Sequence, residues 1–558
     1  MPGASSCTTM IVTGEASADG SVMVAHSDDN DLGDQSIVYV PARDWPDGSL
    51  RPVYPSAVAN GDIPRYKAFL VPRLVDGKRT PGYAHPGKAK TVPVGYIPQV
   101  KHTYAYLDGN YGIVNEHGLM FGECTDGSFV TNGPEEGKRI FYSAELSRVA
   151  LERTRTAREA IRLMGELIET HGYYGTGETL PVADGREAWV MEMAPSPTGT
   201  GGLWVAQRVP DGHYFIAANE FRIRDIIPGN PDQMHGKDLH TIIEAAGWRN
   251  PPKDSGRPLD WLVSVSKGEY NHPYYSLRRV WRGFSLVAPS LNLSPWVSDG
   301  KTRDYPFSVQ PDKKLTFEDI RRIYGDHYEG TDFDLTKGVA AGPFGSPVRY
   351  TGPADSSGDV GERKNLPGAW ERPICMFYTG YTFISQLRPD LPPPLNIVSW
   401  IALNTPGESV FVPLAVGPPP PGYELGDTTT RREDSTWWRY NLVSEYANLK
   451  YNFMIKDIQE RADAHEANSQ ALLTKLRQKL LPLAQKAPRD AAKRFRDALA
   501  KNAEAIWKDW GDLFTLLTRK YNQGYLNSPE KMAQSIGYGE DWLRHADYAK
   551  GPVKYEKP

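Results

Sequence analysis

Apolar positions change period twice along the chain, which divides it into three stretches. The first hundred-odd residues alternate as strands and turns do. Residues 7–13 are an apolar, β-branched run, Ala18-Asp19-Gly20-Ser21 is turn chemistry, and 22–25 return as a second strand. Residues 99–107 are again rich in strand formers. Beyond them Gly112-Ile113-Val114 faces Leu119-Met120-Phe121 across Asn115-Glu116-His117-Gly118, the layout of a hairpin.

A helical period follows. Leu146, Val149, Ala150, Ala157, Ala160, Ile161, Met164, Leu167 and Ile168 predict one helix over 143–170, stopped by His171-Gly172. Strands are expected again at 188–193, 203–209 and 213–218. The middle third is aromatic and rich in Pro and Gly, with punctuation at 391–395 and 418–421. From residue 436 to about 521 the pattern is nearly all helical, with breaks expected at Pro482 and Pro488. The whole reads as an α+β body, residues 7–435, followed by a helical C-terminal region, 436–558.

Composition narrows the function. Hydrophobic residues at 40% and charged residues at 24% are ordinary for a globular protein. A net charge of −4 offers no basic footprint for nucleic acid. No apolar run reaches the roughly 18–20 residues of a membrane helix. A positive, then apolar leader is missing at the start, so a cytoplasmic protein is expected. The three cysteines, Cys7, Cys124 and Cys375, are too few and too scattered for a disulfide framework, and no zinc or phosphate-loop motif accompanies them. The expectation is an enzyme or binding protein with neither metal nor cofactor. A homo-oligomer is left open.

Cys7 carries the most suggestive chemistry. A thiol with an ordinary pKa of about 8.5 becomes a nucleophile when a base stands beside it. A residue made N-terminal by proteolysis brings its own base, an α-amine of pKa about 7.7–8.0. While residues 1–6 remain attached, that nitrogen is an amide. They are therefore read as a short propeptide whose removal at Ser6–Cys7 creates nucleophile and base together.

The residues after Cys7 strengthen this reading. Cys7-Thr8-Thr9, Ala18-Asp19-Gly20-Ser21 and Ala25-His26-Ser27-Asp28-Asp29 are followed in order by further matches. These are Gly112 to Leu119, Ala150 to Ala160, Glu187 to Glu192, Ala217-Ala218-Asn219-Glu220-Phe221-Arg222-Ile223, Arg279-Val280-Trp281-Arg282 and Asp326 to Thr331. The ordered set resembles the dipeptidase family of N-terminal-nucleophile hydrolases, relatives of penicillin V acylases and bile salt hydrolases. The resemblance implies an αββα sandwich, small peptide substrates, and a thioester formed on Cys7 after propeptide removal. It also implies that the Cys7 α-amine protonates the departing amine and then activates water.

Site residues follow from the same resemblance. Related acylases carry Arg-x-x-Asp on the second strand, where this chain has His26 and Asp29. Asp29 is expected to orient the α-amine, with Asp28 as its competitor; His26 lacks the fixed fork of a guanidinium. Asn219 is the first candidate for an oxyanion donor and Asn115 the second. Arg222 and Arg224 are candidates for binding a substrate carboxylate. Asp326, Glu329, Asp332 and Asp334 read as a solvated acidic loop in preference to a calcium site, and Cys124 and Cys375 as small buried hydrophobes without an activating partner. Two other readings stay open at this level: an amidase or acyltransferase acting on a non-peptide amide, and a non-catalytic binding module.

Overall fold

A computed structural model describes residues 7–29, 33–56, 74–85, 87–268, 274–350, 371–428 and 430–548. The expected propeptide, residues 1–6, lies outside them. Two antiparallel sheets lie at the centre. The first has six strands, in the order Tyr214–Ala217, Thr8–Val12, Val22–Asp28, Tyr381–Leu387, Ile397–Leu403 and Val412–Leu414. The second has nine, running from Gln233–His235 through Gly202–Val209, Ala188–Pro195 and Gly177–Ala183 to Met120–Phe121, Gly112–Asn115, Tyr106–Asp108 and Val38–Val40; Cys124–Asp126 also pairs with Gly177–Ala183.

Side-chain alternation explains why the sheets stack. Along the first two strands, Cys7, Ile11, Val22 and Val24 point one way and join Val190, Val205 and Val209 of the nine-stranded sheet in one apolar cluster. Met10, Val12, Met23 and Ala25 point the other way, onto Val280, Phe284, Ile320 and Ile323 of the helices Leu277–Val287 and Phe317–Tyr324. The nine-stranded sheet behaves alike: Trp189, Met191 and Met193 turn outward onto Ala160, Ile161 and Met164. The order of layers is helix, sheet, sheet, helix. This is the expected α+β sandwich. Where Gly122 passes the first strand, a Cβ on it would lie 2.4 Å from Thr9 Oγ1, so only glycine fits there.

Two helical expectations are corrected. The predicted helix over 143–170 is two helices, Ser143–Arg153 and Ala157–His171. Thr156 ends the continuity by accepting the Glu159 N–H, while Glu159 reaches back in a capping box. In the C-terminal region the helix Tyr451–Lys486 runs through Pro482, and Pro488 opens the next helix, Pro488–Lys520, at its first position. Leu473, Leu480, Phe495 and Leu499 of these long helices pack into the outer cluster of the six-stranded sheet, beside Trp400 and Phe411.

Candidate active site

Cys7 stands immediately before the first strand. Thr8 pairs with Ser27 and Thr9 with His26, which brings Cys7 level with the end of the second strand at Asp28 and Asp29. The thiol is fully buried. Its own carbonyl is fixed by Arg279, whose Nη1 donates to Cys7 O at 2.8 Å and to Thr8 Oγ1 at 2.9 Å. The other arm of that guanidinium donates to Asn219 Oδ1 at 2.8 Å and to Ala218 O at 3.1 Å. One buried fork thus ties Cys7 and the first strand to the end of the neighbouring strand Tyr214–Ala217.

Asn219 follows the strand Tyr214–Ala217 and sits at φ 66°, a left-handed conformation that asparagine tolerates better than most residues. Its Nδ2 donates to Thr125 O at 2.7 Å, which leaves the second amide hydrogen for another acceptor. Asp29 is also fixed. Arg372 Nη2 donates to Oδ2 at 2.5 Å and Thr379 Oγ1 to Oδ1 at 2.6 Å.

His26 faces the nine-stranded sheet, its ring 5.4 Å from Phe383 and 5.9 Å from Tyr111, centroid to centroid. Its Nδ1 lies 2.6 Å from the Glu123 carbonyl oxygen and 3.3 Å from the Glu123 backbone N; the shorter contact is that of an Nδ1–H donor, which assigns the lone pair to Nε2. Cys7 Sγ, a ring nitrogen of His26 and a carboxylate oxygen of Glu123 all lie within 4.8 Å of one another. Asp28 joins the group and is held by the Asn110 amide.

Burial sets the electrostatics of this group. It holds the Cys7 thiol well above its ordinary value, and the charges of Glu123, Asp28 and Asp29 push the same way. Burial pushes Glu123 up to about 7, and it also raises Asp29, with Arg372 and Thr379 pulling the other way. Desolvation lowers His26 to about 4, so its imidazole is neutral at pH 7. The pocket is rich in carboxyl groups and favours a cation at Cys7.

The residues expected from sequence therefore separate. Cys7, His26 and Asp29 meet at the thiol, and Asn219 is linked to the Cys7 carbonyl through Arg279, which donates to both. Asn115 does not: Nδ2 donates to Leu151 O and Thr154 O, and Oδ1 accepts from the His117 and Leu119 N–H groups, so every hydrogen-bonding position is occupied by the hairpin and the adjacent helix. Arg224 forks onto Asp260 and donates to Lys301 O and Thr302 O. Arg222 donates to Pro306 O at 2.6 Å. Among the acidic loop residues, Asp326 pairs with Arg282 and Glu329 with His327, so both carboxylates already have cationic or imidazole partners. Cys124 and Cys375 are buried as expected, but Cys375 has His327 against it, a partner that sequence spacing does not reveal.

Three site residues went unassigned in the sequence: Glu123, Arg279 and Arg372. Arg279 lies within a recognised segment but carries no sign of its target. Glu123 is signalled only by the glycine before it.

Comparison with known proteins decides the family. Residues 124–464 match the profile of peptidase family C69, more than half of the chain. The chain belongs to peptidase family C69. This C69 enzyme is 25% identical over 514 residues to probable dipeptidase B of Lactococcus lactis subsp. lactis, covering 86% of this chain and 93% of that one. Against probable dipeptidase A of Streptococcus pyogenes serotype M18 the identity is 24% over 490 residues, 85% and 89% of the two chains. Against a probable dipeptidase of Salmonella dublin it is 29% over 273 residues, which spans 49% of this chain and about half, 54%, of that relative. A solved penicillin V acylase from Agrobacterium tumefaciens aligns at 14% identity over 36% of this chain and 49% of its own, with a TM-score of 0.20, a likeness that carries no argument. Among the described residues no helix of the enzyme is long and apolar enough to cross a membrane.

Proposed function

We propose that this C69 peptidase is a cysteine dipeptidase whose nucleophile is Cys7, activated by its own α-amine once residues 1–6 are removed. The Cys7 α-amine takes the thiol proton as Sγ attacks the carbonyl of the peptide bond, and the C–N bond breaks as the resulting α-ammonium gives that proton to the departing amine. The resulting thioester is hydrolysed by a water that the free α-amine deprotonates. Asn219 Nδ2 offers its remaining hydrogen to the oxyanion, and Asp29 holds the α-amine in line.

The observation that carries this reading is the set of buried carboxyl groups around the sulfur. Asp28, Asp29 and Glu123 all raise the thiol's pKa. An ammonium on Cys7 itself would reverse that bias. The neighbouring imidazole is a poor substitute. Desolvation lowers the His26 imidazole to about 4, which makes it a far weaker base than an α-amine near 8.

The test is hydrolysis of a panel of dipeptides by Cys7→Ala and Cys7→Ser variants whose fold is verified by circular dichroism. Loss of about 10³-fold or more in kcat is expected for both. A Cys7→Ala variant with wild-type turnover overturns the assignment.

A further inference from the structure

We propose that Cys7, His26 and Glu123 also form a binding site for a soft or borderline divalent metal, of which zinc is the natural occupant, and that its occupancy silences the enzyme. The three ligand atoms already lie within 4.8 Å of one another and all three residues are fully buried. Tetrahedral zinc bound to sulfur at about 2.3 Å and to nitrogen or oxygen at about 2.0–2.2 Å places its ligands roughly 3.5 Å apart, so no pair of ligand atoms need close by more than about 1.3 Å.

Two further observations point to a cation. His26 Nε2 is buried without a hydrogen-bond partner among the described residues, whereas the Glu123 carboxyl bonds to Glu178, Thr125 and Cys7 and would have to exchange the first and last of these for the ion. Orphaned polar atoms of this kind are rare and call for an occupant. The other ring nitrogen, Nδ1, meets the Glu123 carbonyl oxygen at 2.6 Å, and a ring N–H held by a backbone carbonyl is the outer support that metal-binding histidines have.

Charge also balances. A thiolate, a carboxylate and a neutral imidazole cancel a divalent ion, and binding expels only the thiol proton, with the Glu123 proton where that carboxyl is protonated. Asp28 and Asp29 stand close enough to raise the Cys7 pKa and so favour any cation there. In this view the metal competes with the α-ammonium for the same negatively biased pocket. The inhibitory consequence rests on the Cys7 reading above; the binding does not.

Cobalt(II) titration of the metal-free full chain tests the site by a readout independent of turnover. One equivalent is expected, with a thiolate-to-cobalt charge-transfer band that zinc displaces. The band should vanish in Cys7→Ser and persist in Cys124→Ala/Cys375→Ala. His26→Asn and Glu123→Gln should each weaken binding about tenfold or more, and either serves if Cys7→Ser fails to fold. A wild-type protein without the band, or a band that survives Cys7→Ser, overturns the site. Zinc should also abolish dipeptide hydrolysis, with recovery on chelation; turnover undiminished in zinc-loaded enzyme overturns the inhibitory role. If metal binds as described while Cys7→Ser still hydrolyses dipeptides at full rate, the assignment of Cys7 as nucleophile fails and the metal site stands.

Discussion

Arg372 and Asp29 lie 343 positions apart in sequence and 2.5 Å apart in the fold, joined as a buried ion pair beside Cys7. The guanidinium that meets this strand-end carboxylate arrives from the segment before Tyr381–Leu387. It reaches Asp29 from the side and holds it together with Thr379.

Removing one partner should expose the cost of the other. Arg372→Ala leaves Asp29 buried and unpaired, and is expected to destabilise the fold by about 3–5 kcal/mol in urea denaturation. Asp29→Asn/Arg372→Met removes both charges and should recover much of that stability while remaining nearly inactive. Turnover near wild type in the double variant would mean that the pair is structural only.

The two asparagines should behave oppositely. Asn219→Asp keeps the oxygen that accepts from Arg279 but loses the Nδ2 donor, so kcat should fall about 10²–10³-fold. Asn115→Ala strands the carbonyls of Leu151 and Thr154 and should cost about 2–3 kcal/mol of stability, with kcat per folded molecule nearly unchanged. Steady-state kinetics beside thermal denaturation separates the two.

Stability should depend on pH with a sign fixed by the buried acids. Burial raises Glu123 and Glu192 from 4.5 to about 7 in the folded state. Their contribution is fully present below pH 4.5 and is lost as pH rises through 7. His26 acts in the opposite sense: lowered from 6.5 to about 4, its contribution is present above 6.5 and lost as pH falls through 4. The urea midpoint should therefore decline from pH 6 to pH 8, and Glu123→Gln should flatten that decline. An unchanged slope in the variant would refute the role given to Glu123.

What the sequence made legible follows from chain distance. Cys7, His26 and Asp29 belong to one hairpin, whose register is set by alternating apolar residues and a turn, so their proximity is a local matter. Asn219 closes the neighbouring strand on the other side. Arg279 and Arg372 come from a helix and a loop far along the chain, and no local pattern says where a buried arginine will point. The same limit hid the meeting of His327 with Cys375. Local capping explains the helix miscount, since Thr156 and Glu159 satisfy the backbone at a break that apolar spacing alone bridges. Hairpin asparagines look alike in sequence, and the four side-chain hydrogen bonds that occupy Asn115 are visible only in three dimensions.

The central claim is that one residue supplies nucleophile and base. Intact-mass measurement of purified protein, on the same sample assayed for dipeptide hydrolysis, tests it most directly. The active species should begin at Cys7. A chain that keeps residues 1–6 and still hydrolyses dipeptides at full rate would contradict it.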